Sequence, residues 1–202
     1  MLLPSCNLFP HGLLPLHIFE PHYCHMLKNV IEGDRMFCIG MIEAPSPTPV
    51  ENSKSGVHSI STAGFLRACV EQEDGCSNLL LQGISRIRLS DFDQTLPYTT
   101  AAVEVLKTER STETSEYQLG NEIRSRIQQL AEAGVEISAQ VQSFIDTVED
   151  LETLVDLVAY NFVSDPHTRQ PWLEELNLRS RLHSLVSHLG RQLNQVGGDN
   201  DP

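Results

Sequence analysis

Residues 7–27 read NLFPHGLLPLHIFEPHYCHML, and the two halves of this stretch follow different rules. Up to Phe19 it is apolar and aromatic enough for strand, but Pro10, Gly12 and Pro15 break it into short pieces. Proline fixes its own φ and has no N–H to give a ladder, so the segment is expected at the edge or bend of a sheet rather than through its middle. Pro21 changes the pattern. It suits the first turn of a helix, and Tyr23, Met26, Leu27, Val30 and Ile31 then recur at three- and four-residue spacing until Gly33 ends the run. Residues 35–42, RMFCIGMI, follow as a nearly continuous apolar stretch, the composition of a strand covered on both faces. The unit is broken strand, short helix, buried strand.

Downstream, residues 44–56 carry three prolines in five positions and then polar residues, which predicts an exposed, disordered excursion between strands. Strand chemistry resumes at Ile60. Phe65 to Val70 leads into an acidic turn whose Asp74-Gly75 pair suits a hairpin reversal. Leu79 to Leu81 leads to Gly83, a bulge or a point of close backbone approach, and residues 86–92 alternate polar and apolar. Pro97 interrupts again before a last strand over 98–106. About six strands with one short helix predict a small, strongly bent antiparallel or mixed sheet closing on itself.

From Ser111 the period becomes that of a helix. Ser115 with Gln118 offers a capping box, and Leu119, Ile123, Ile127 and Leu130 form one stripe that stops near Gly134. A second helix runs from Ser138 through Val141, Phe144, Ile145 and Val148, and a third from near Asp150, whose Leu151, Leu154, Val155, Val158 and Phe162 make a face broad enough for the centre of a bundle. Trp172 to Leu176 reads as a short turn, Asn177 as the cap of the final helix, and Leu178, Leu182, Leu185, Leu189 and Leu193 as its seam. The fold class expected is α+β: a β-rich subdomain over 1–108, a helical bundle over 109–195 and a disordered tail over 196–202.

The string Leu8-Phe-Pro-His-Gly12, then Leu14-Pro-Leu-His-Ile-Phe-Glu-Pro21, with Tyr23 and Gly33-Asp-Arg-Met-Phe37 after it, resembles the N-terminal, substrate-binding domain of the Lon protease family. Residues 61–70, 79–89 and 156–162 fit the same pattern in order and spacing, so the likeness runs to about Leu193 and is similar to bacterial proteins carrying that domain alone. The resemblance implies a pseudobarrel of PUA-like architecture for the β-rich part. It also implies a non-enzymatic module that binds unfolded or hydrophobic polypeptide segments and serves an ATP-dependent protease. His22 and Cys24 stand where the family often has basic residues, which removes positive charge from the helix after Pro21.

Composition narrows the alternatives. The net charge is −13, with 7 Lys+Arg against 11 Asp+Glu in residues 1–108 and 7 against 16 in residues 109–202. Only three lysines occur, which argues against nucleic acid as a partner. No stretch approaches the roughly 20 apolar residues of a membrane span. Five cysteines in no metal-type pairing, with no secretory signal, read as thiols of a reducing compartment, so a cytoplasmic protein is expected.

Enzyme motifs are missing from the sequence: neither a P-loop nor a G-x-S-x-G elbow is present. His17, His22 and His25 carry a metal hypothesis, but the break at Pro21 separates the first from the others and no cysteine or carboxylate repeats a ligand spacing, so no metal or other cofactor is assigned. Asp91 and Asp93 read as a solvated strand end rather than a carboxylate pair for catalysis, and Arg86 and Arg88 as ordinary sheet-face partners of Glu or Asp. What remains is a surface. Phe9, Phe19, His22 and Tyr23, around the proline-made bends, are the candidate peptide-binding residues, with an edge strand there able to accept an extended segment. Two other possibilities stay open: a small-molecule sensor on a PUA-like barrel, and self-association through the acidic bundle or an uncovered strand edge.

Overall fold

The computed structural model describes residues 1–43, 56–110 and 115–198. Along the chain come β1 (Leu2–Leu3), β2 (Leu13–Ile18), α1 (Pro21–Glu32), β3 (Met36–Met41), β4 (Ile60–Glu71), β5 (Ser77–Asp93) and β6 (Thr100–Val105), then α2 (Ser115–Glu132), α3 (Ala139–Thr147), α4 (Leu151–Phe162), α5 (Pro166–Glu174) and α6 (Leu178–Gly198). The proline-rich excursion falls outside the described residues except at Gly56. So do the tail beyond 198 and the capping side chain expected at Ser115. The chain is α+β and forms two compact units, Met1–Lys107 with Val163–Glu174, and Thr108–Phe162 with Glu175–Pro202.

In the first unit one mixed sheet has the strand order β1-β3-β4-β5-β2, with β6 also on β5. Its parallel pair is β1 with β3; the other pairs are antiparallel. The expected closure is absent among the described residues: neither β2 nor β6 meets β1, so the sheet is open. The long strand β5 serves two neighbours on one side, β2 along Ser77–Gln82 and β6 along Ile87–Asp93. Between these stretches the register against β4 slips at Ala63/Gly64, and Gly83 lies under the bend at residues 8–10: a Cβ there would sit 2.0 Å from the Phe9 carbonyl oxygen. The close approach expected at Gly83 is therefore present. His11 N–H donates to the Gly83 carbonyl and Gly83 N–H to that of Gly12, both at 2.9 Å.

The first unit also holds a helix that the sequence reading treats as a turn. Asp165 accepts from the backbone N–H groups of His167 (3.3 Å) and Thr168 (2.9 Å), and Pro166 follows it at the first helical position. That cap starts α5, which then carries Pro171 in its interior. The helix is fastened by polar groups. Asn7 is buried and donates to the Pro166 carbonyl (2.9 Å) and to Gln170 Oε1 (3.0 Å), while Gln170 donates to the Ile60 carbonyl (3.0 Å). Arg86 is likewise buried, which corrects its placing on a sheet face: Nε donates to the Leu173 carbonyl (3.0 Å) and Nη2 to that of Trp172 (3.4 Å). A helix leaves its last carbonyls without intrahelical donors, and a guanidinium supplies donors and a favourable charge there at once. Arg88 does behave as expected, pairing with Glu104 at 2.6 Å.

The second unit is helical. The α2 stripe Leu119, Ile123, Ile127 and Leu130 is buried, as are Leu154, Val155 and Val158 of α4 and Leu178, Leu182, Leu185 and Leu189 of α6. Helix α2 packs on α4 and α6. Asn177 caps as read from sequence, accepting from Ser180 N–H (3.0 Å), and Ser138, the expected start of the second helix, caps it by accepting from Val141 N–H (3.3 Å). The last helix runs to Gly198, past the expected end at 195. A charged lattice lies in this unit: Arg181 donates to Asp156 (2.6 Å) and Thr108 (2.8 Å), and Arg110 to Asp150 (3.0 Å) and Glu152 (2.7 Å).

Burial opposes ionisation of Asp150 and Glu152, but bonds from Thr153 and Arg110 to the first, and bonds from Thr108 and Arg110 together with the nearby charge of Arg181 for the second, outweigh it and hold both carboxyls below their ordinary values. A carboxyl depressed by folding lends stability above its unfolded value and loses it as pH falls. The helical unit is therefore expected to weaken on acidification below about pH 4.5, the ordinary value for glutamate. Urea titration at pH 7 and pH 3, with Arg110→Ala reducing the difference between the two, checks this; an unchanged difference would count against it.

Candidate functional site

Register decides which side chains share a face of the sheet, because directly opposed residues point the same way. Leu13 opposes Gln82, Gln82 opposes Phe65, and Phe65 opposes Met36. The next row is Pro15, Leu80 and Ala68, and the third is His17, Asn78 and Val70. These three rows form one face, and most of it is open. Leu13 is 51 % exposed and Val70 64 %; Phe19, just past the end of β2, is 62 % exposed. The opposite phase of the same strands carries Ile18, Leu66, Leu79 and Leu81, which are buried. The sheet thus has apolar residues on both sides and covers one of them.

Polar groups are sparse on the open side and largely engaged with one another. His17 Nδ1 lies 2.8 Å from Asn78 Oδ1, and its ring stacks on Phe19 at 5.9 Å. Arg67, the extra residue at the second register slip of β4, bonds Gln82 and sits 5.4 Å from the Phe65 centroid. Groups held this way leave the apolar side chains beside them accessible. Contiguous exposed apolar patches on a protein surface mark interaction sites.

The four residues singled out from sequence fare differently. Phe9 is fully buried, with the Arg86 guanidinium 5.8 Å from its ring centroid, and it leaves the surface set. Phe19 stands in the open beside the three rows. Tyr23 is half-buried and acts as a clamp: its hydroxyl accepts from Leu2 N–H (3.1 Å) and donates to the Leu2 carbonyl (2.8 Å). Burial raises its phenol pKa, with the Leu2 bond working against the rise. His22 rests on the Tyr23 ring, centroids 4.0 Å apart, and lies 3.6 Å from Glu20. Phe19 is therefore the member of the four that adjoins the open face. Leu13, Phe65, Val70 and Leu80 escape the sequence reading. Their alternation is present in the sequence, but Leu14, Leu16 and Ile18 are as apolar as Leu13 and Pro15, so nothing local says which phase the core takes.

The histidines His17, His22 and His25 turn to separate neighbours, the last to Tyr98 at 6.1 Å. Among the described residues no group of three or more His, Cys, Asp and Glu is arranged to hold a metal ion, and no helix is long and apolar enough to cross a membrane. Elsewhere in the first unit a cavity of about 370 Å³ is lined by Met26, Phe37, Leu89 and Phe92, with Asp34 and Tyr98 among its polar groups.

Residues 1–191 match the family model for the ATP-dependent protease La (LON) substrate-binding domain. The Lon protease of Desulfosudis oleivorans is 27% identical over 195 residues, covering 96% of this chain and 24% of its own length. That of Dictyoglomus thermophilum is 25% identical over 187 residues, covering 92% of this chain and 23% of its own length. The chain spans about a quarter of the length of these relatives. In fold it is similar to the N-terminal domain of a Mycobacterium avium complex Lon protease, with a TM-score of 0.70 at 11% identity over 94% of this chain and 96% of that one. A Lon N-terminal domain protein from Xanthomonas campestris gives a TM-score of 0.64 at 14% identity, covering 93% and 95% of the two chains.

Proposed function

Since this chain belongs to the ATP-dependent protease La (LON) substrate-binding domain family, we propose that the open face of β2, β5 and β4 captures apolar segments of unfolded polypeptides, without chemistry, for an ATP-dependent protease. The observation that carries this reading is the three-row face, on which Leu13, Val70 and the adjoining Phe19 offer apolar area that no other part of the described chain covers. Sequence tolerance follows from its chemistry. An apolar surface with few directional groups selects for hydrophobicity rather than for a particular side chain. The five free cysteines are consistent with action in the cytoplasm, where thiols stay reduced.

A fluorescent 20-residue peptide rich in Leu and Phe, followed by anisotropy, tests it. The double substitution Phe19→Ser, Val70→Ser is expected to weaken binding at least tenfold, about 1.4 kcal/mol, because burying one large apolar side chain is worth roughly 1.5–3 kcal/mol. Both positions are exposed, so the fold should not change. Equal affinity of the variant, or equal binding of a peptide with Ser at every Leu and Phe, would remove the reading. The 370 Å³ cavity favours a second function, a small-ligand sensor. A ligand at 100-fold its Kd would stabilise the fold by about 2.7 kcal/mol, so a thermal-shift screen in which no metabolite moves the Tm would retire it.

A further inference from the structure

Among the described residues β1, β2 and β6 each have one neighbour, which leaves three edges, and two of them are protected in recognisable ways. Strand β1 is two residues long, and β2 has Pro15 near its middle, which offers no N–H to a further strand. Strand β6 has neither defence. Its six residues, Thr100-Ala-Ala-Val-Glu-Val105, contain no proline, glycine or lysine, and among the described residues it pairs with β5 alone. Among the described residues no second strand meets the outward N–H and C=O groups of Ala101 to Val105.

The side chains tell the same story. Val103 opposes Leu89 and Val105 opposes Ile87, so both valines stand on the face where Val57, Ile87 and Leu89 form a buried cluster with Ala101 packed against it. Yet Val103 is 56 % exposed and Val105 65 %. The core-side row continues onto β6 and is left bare there. One more strand would satisfy the backbone and cover both valines.

Charge says how such a strand would lie. Asp91 and Asp93 stand at the Thr100 end, where Asp93 opposes Thr100, and Lys107 follows the Val105 end with no ion pair among the described residues. Glu104 is already committed to Arg88. An antiparallel addition starts near Lys107 and finishes near the aspartates, so the fitting segment has an acidic residue before, and a basic residue after, a run with β-branched side chains at alternate positions. A second copy of this chain could present its own β6 in that way. Its net charge of −13 repels an identical chain, and a six-residue strand pair falls short of the roughly 1,000 Å² of a stable interface.

We propose that the β6 edge is a second contact for the client, taking an extended Val- or Ile-rich segment by antiparallel strand addition, with its acidic flank toward Lys107 and its basic flank toward Asp91 and Asp93. This rests on the polypeptide-capture function and adds a backbone-directed site to the apolar one. Recognition there reads the peptide backbone and the order of charges, whereas the open face reads apolar area.

The test uses the full chain, the peptide Glu-Ser-Val-Thr-Val-Thr-Val-Ser-Lys, a copy with Glu and Lys exchanged, and a copy N-methylated at alternate amides on its pairing edge. The parent peptide is expected to slow amide hydrogen exchange at Val103 and Val105. It should bind at least tenfold more tightly than the N-methylated copy and more tightly than the exchanged one, and Lys107→Glu should erase the preference between those two charge orders. Binding of the N-methylated copy at full strength, or no preference for charge order, would overturn the proposal. A doubled mass in sedimentation without peptide, abolished by Val103→Lys, would overturn it in favour of a second copy. The Phe19→Ser, Val70→Ser variant should bind this peptide unchanged. Loss of binding there would place the peptide on the open face and leave capture standing, whereas intact β6 binding with no Leu- and Phe-rich capture would remove the open-face function alone.

Discussion

Arg181→Met is expected to destabilise the helical unit by about 3–5 kcal/mol, the cost of breaking a buried ion pair by removing one partner. Arg181 is fully buried and Asp156 nearly so, 2.6 Å apart, and the substitution leaves a buried carboxylate without that guanidinium. It also takes a donor from Thr108 and a charge from beside Glu152, 3.6 Å away. Against a typical domain stability of about 5–15 kcal/mol this is a large fraction. Chemical denaturation followed by circular dichroism measures it. Adding Asp156→Leu should recover much of the loss, because an apolar pair of similar volume tolerates the site better than a lone charge does. A single variant with the native midpoint would contradict the account.

Gly83→Ala is expected to cost the sheet unit about 3 kcal/mol, at the upper end for adding a methyl group to a packed interior. The new Cβ would stand 2.0 Å from the Phe9 carbonyl oxygen and 2.8 Å from its carbon. These are backbone atoms. They cannot swing aside, since Thr62 Oγ1 donates to the neighbouring Leu8 carbonyl at 2.5 Å and the His11 and Gly12 bonds to Gly83 fix the other side. Gly75→Ala is the control. Gly75 has φ +82 with open space around it, so the penalty there is the backbone term alone, about 1–2 kcal/mol. If the two variants unfold at the same denaturant concentration, the close approach at Gly83 has no energetic weight.

Much of this architecture is legible in the chain because it depends on neighbours in sequence. The α2 stripe from Leu119 to Leu130, the helix start at Ser138, the cap Asn177, and the tight passage at Gly83 follow from spacing and from what single residue types can do. Asp165-Pro166 belongs to that class as well. An N-cap followed by proline announces a helix, but the polar residues after it and Pro171 favour reading a turn instead. Other features have no local signature. Phe9 and Phe19 are the same residue type at two nearby positions, one under a guanidinium and the other in solvent, and only the long-range pairing of β2 with β5 separates them. Arg86 looks like any strand arginine until the carbonyls of Trp172 and Leu173, far along the chain, arrive beside it. The open face is hidden for a related reason: both phases of β2 are apolar, and hydrophobicity does not say which side a protein leaves uncovered.

Helix α5 has a consequence for how this chain can be divided. Its residues come after most of the helical unit in sequence but belong to the sheet unit, so the backbone passes from one unit to the other three times, after Lys107, after Phe162 and after Glu174. No single scission yields two whole pieces. A fragment halted at Lys107 would leave Arg86 and Asn7 facing an empty trough, and its complement would carry a loose helix with nothing to hold it. Inheritance is constrained likewise: recombination could not trade either unit for a foreign one at one crossover, so the two travel together.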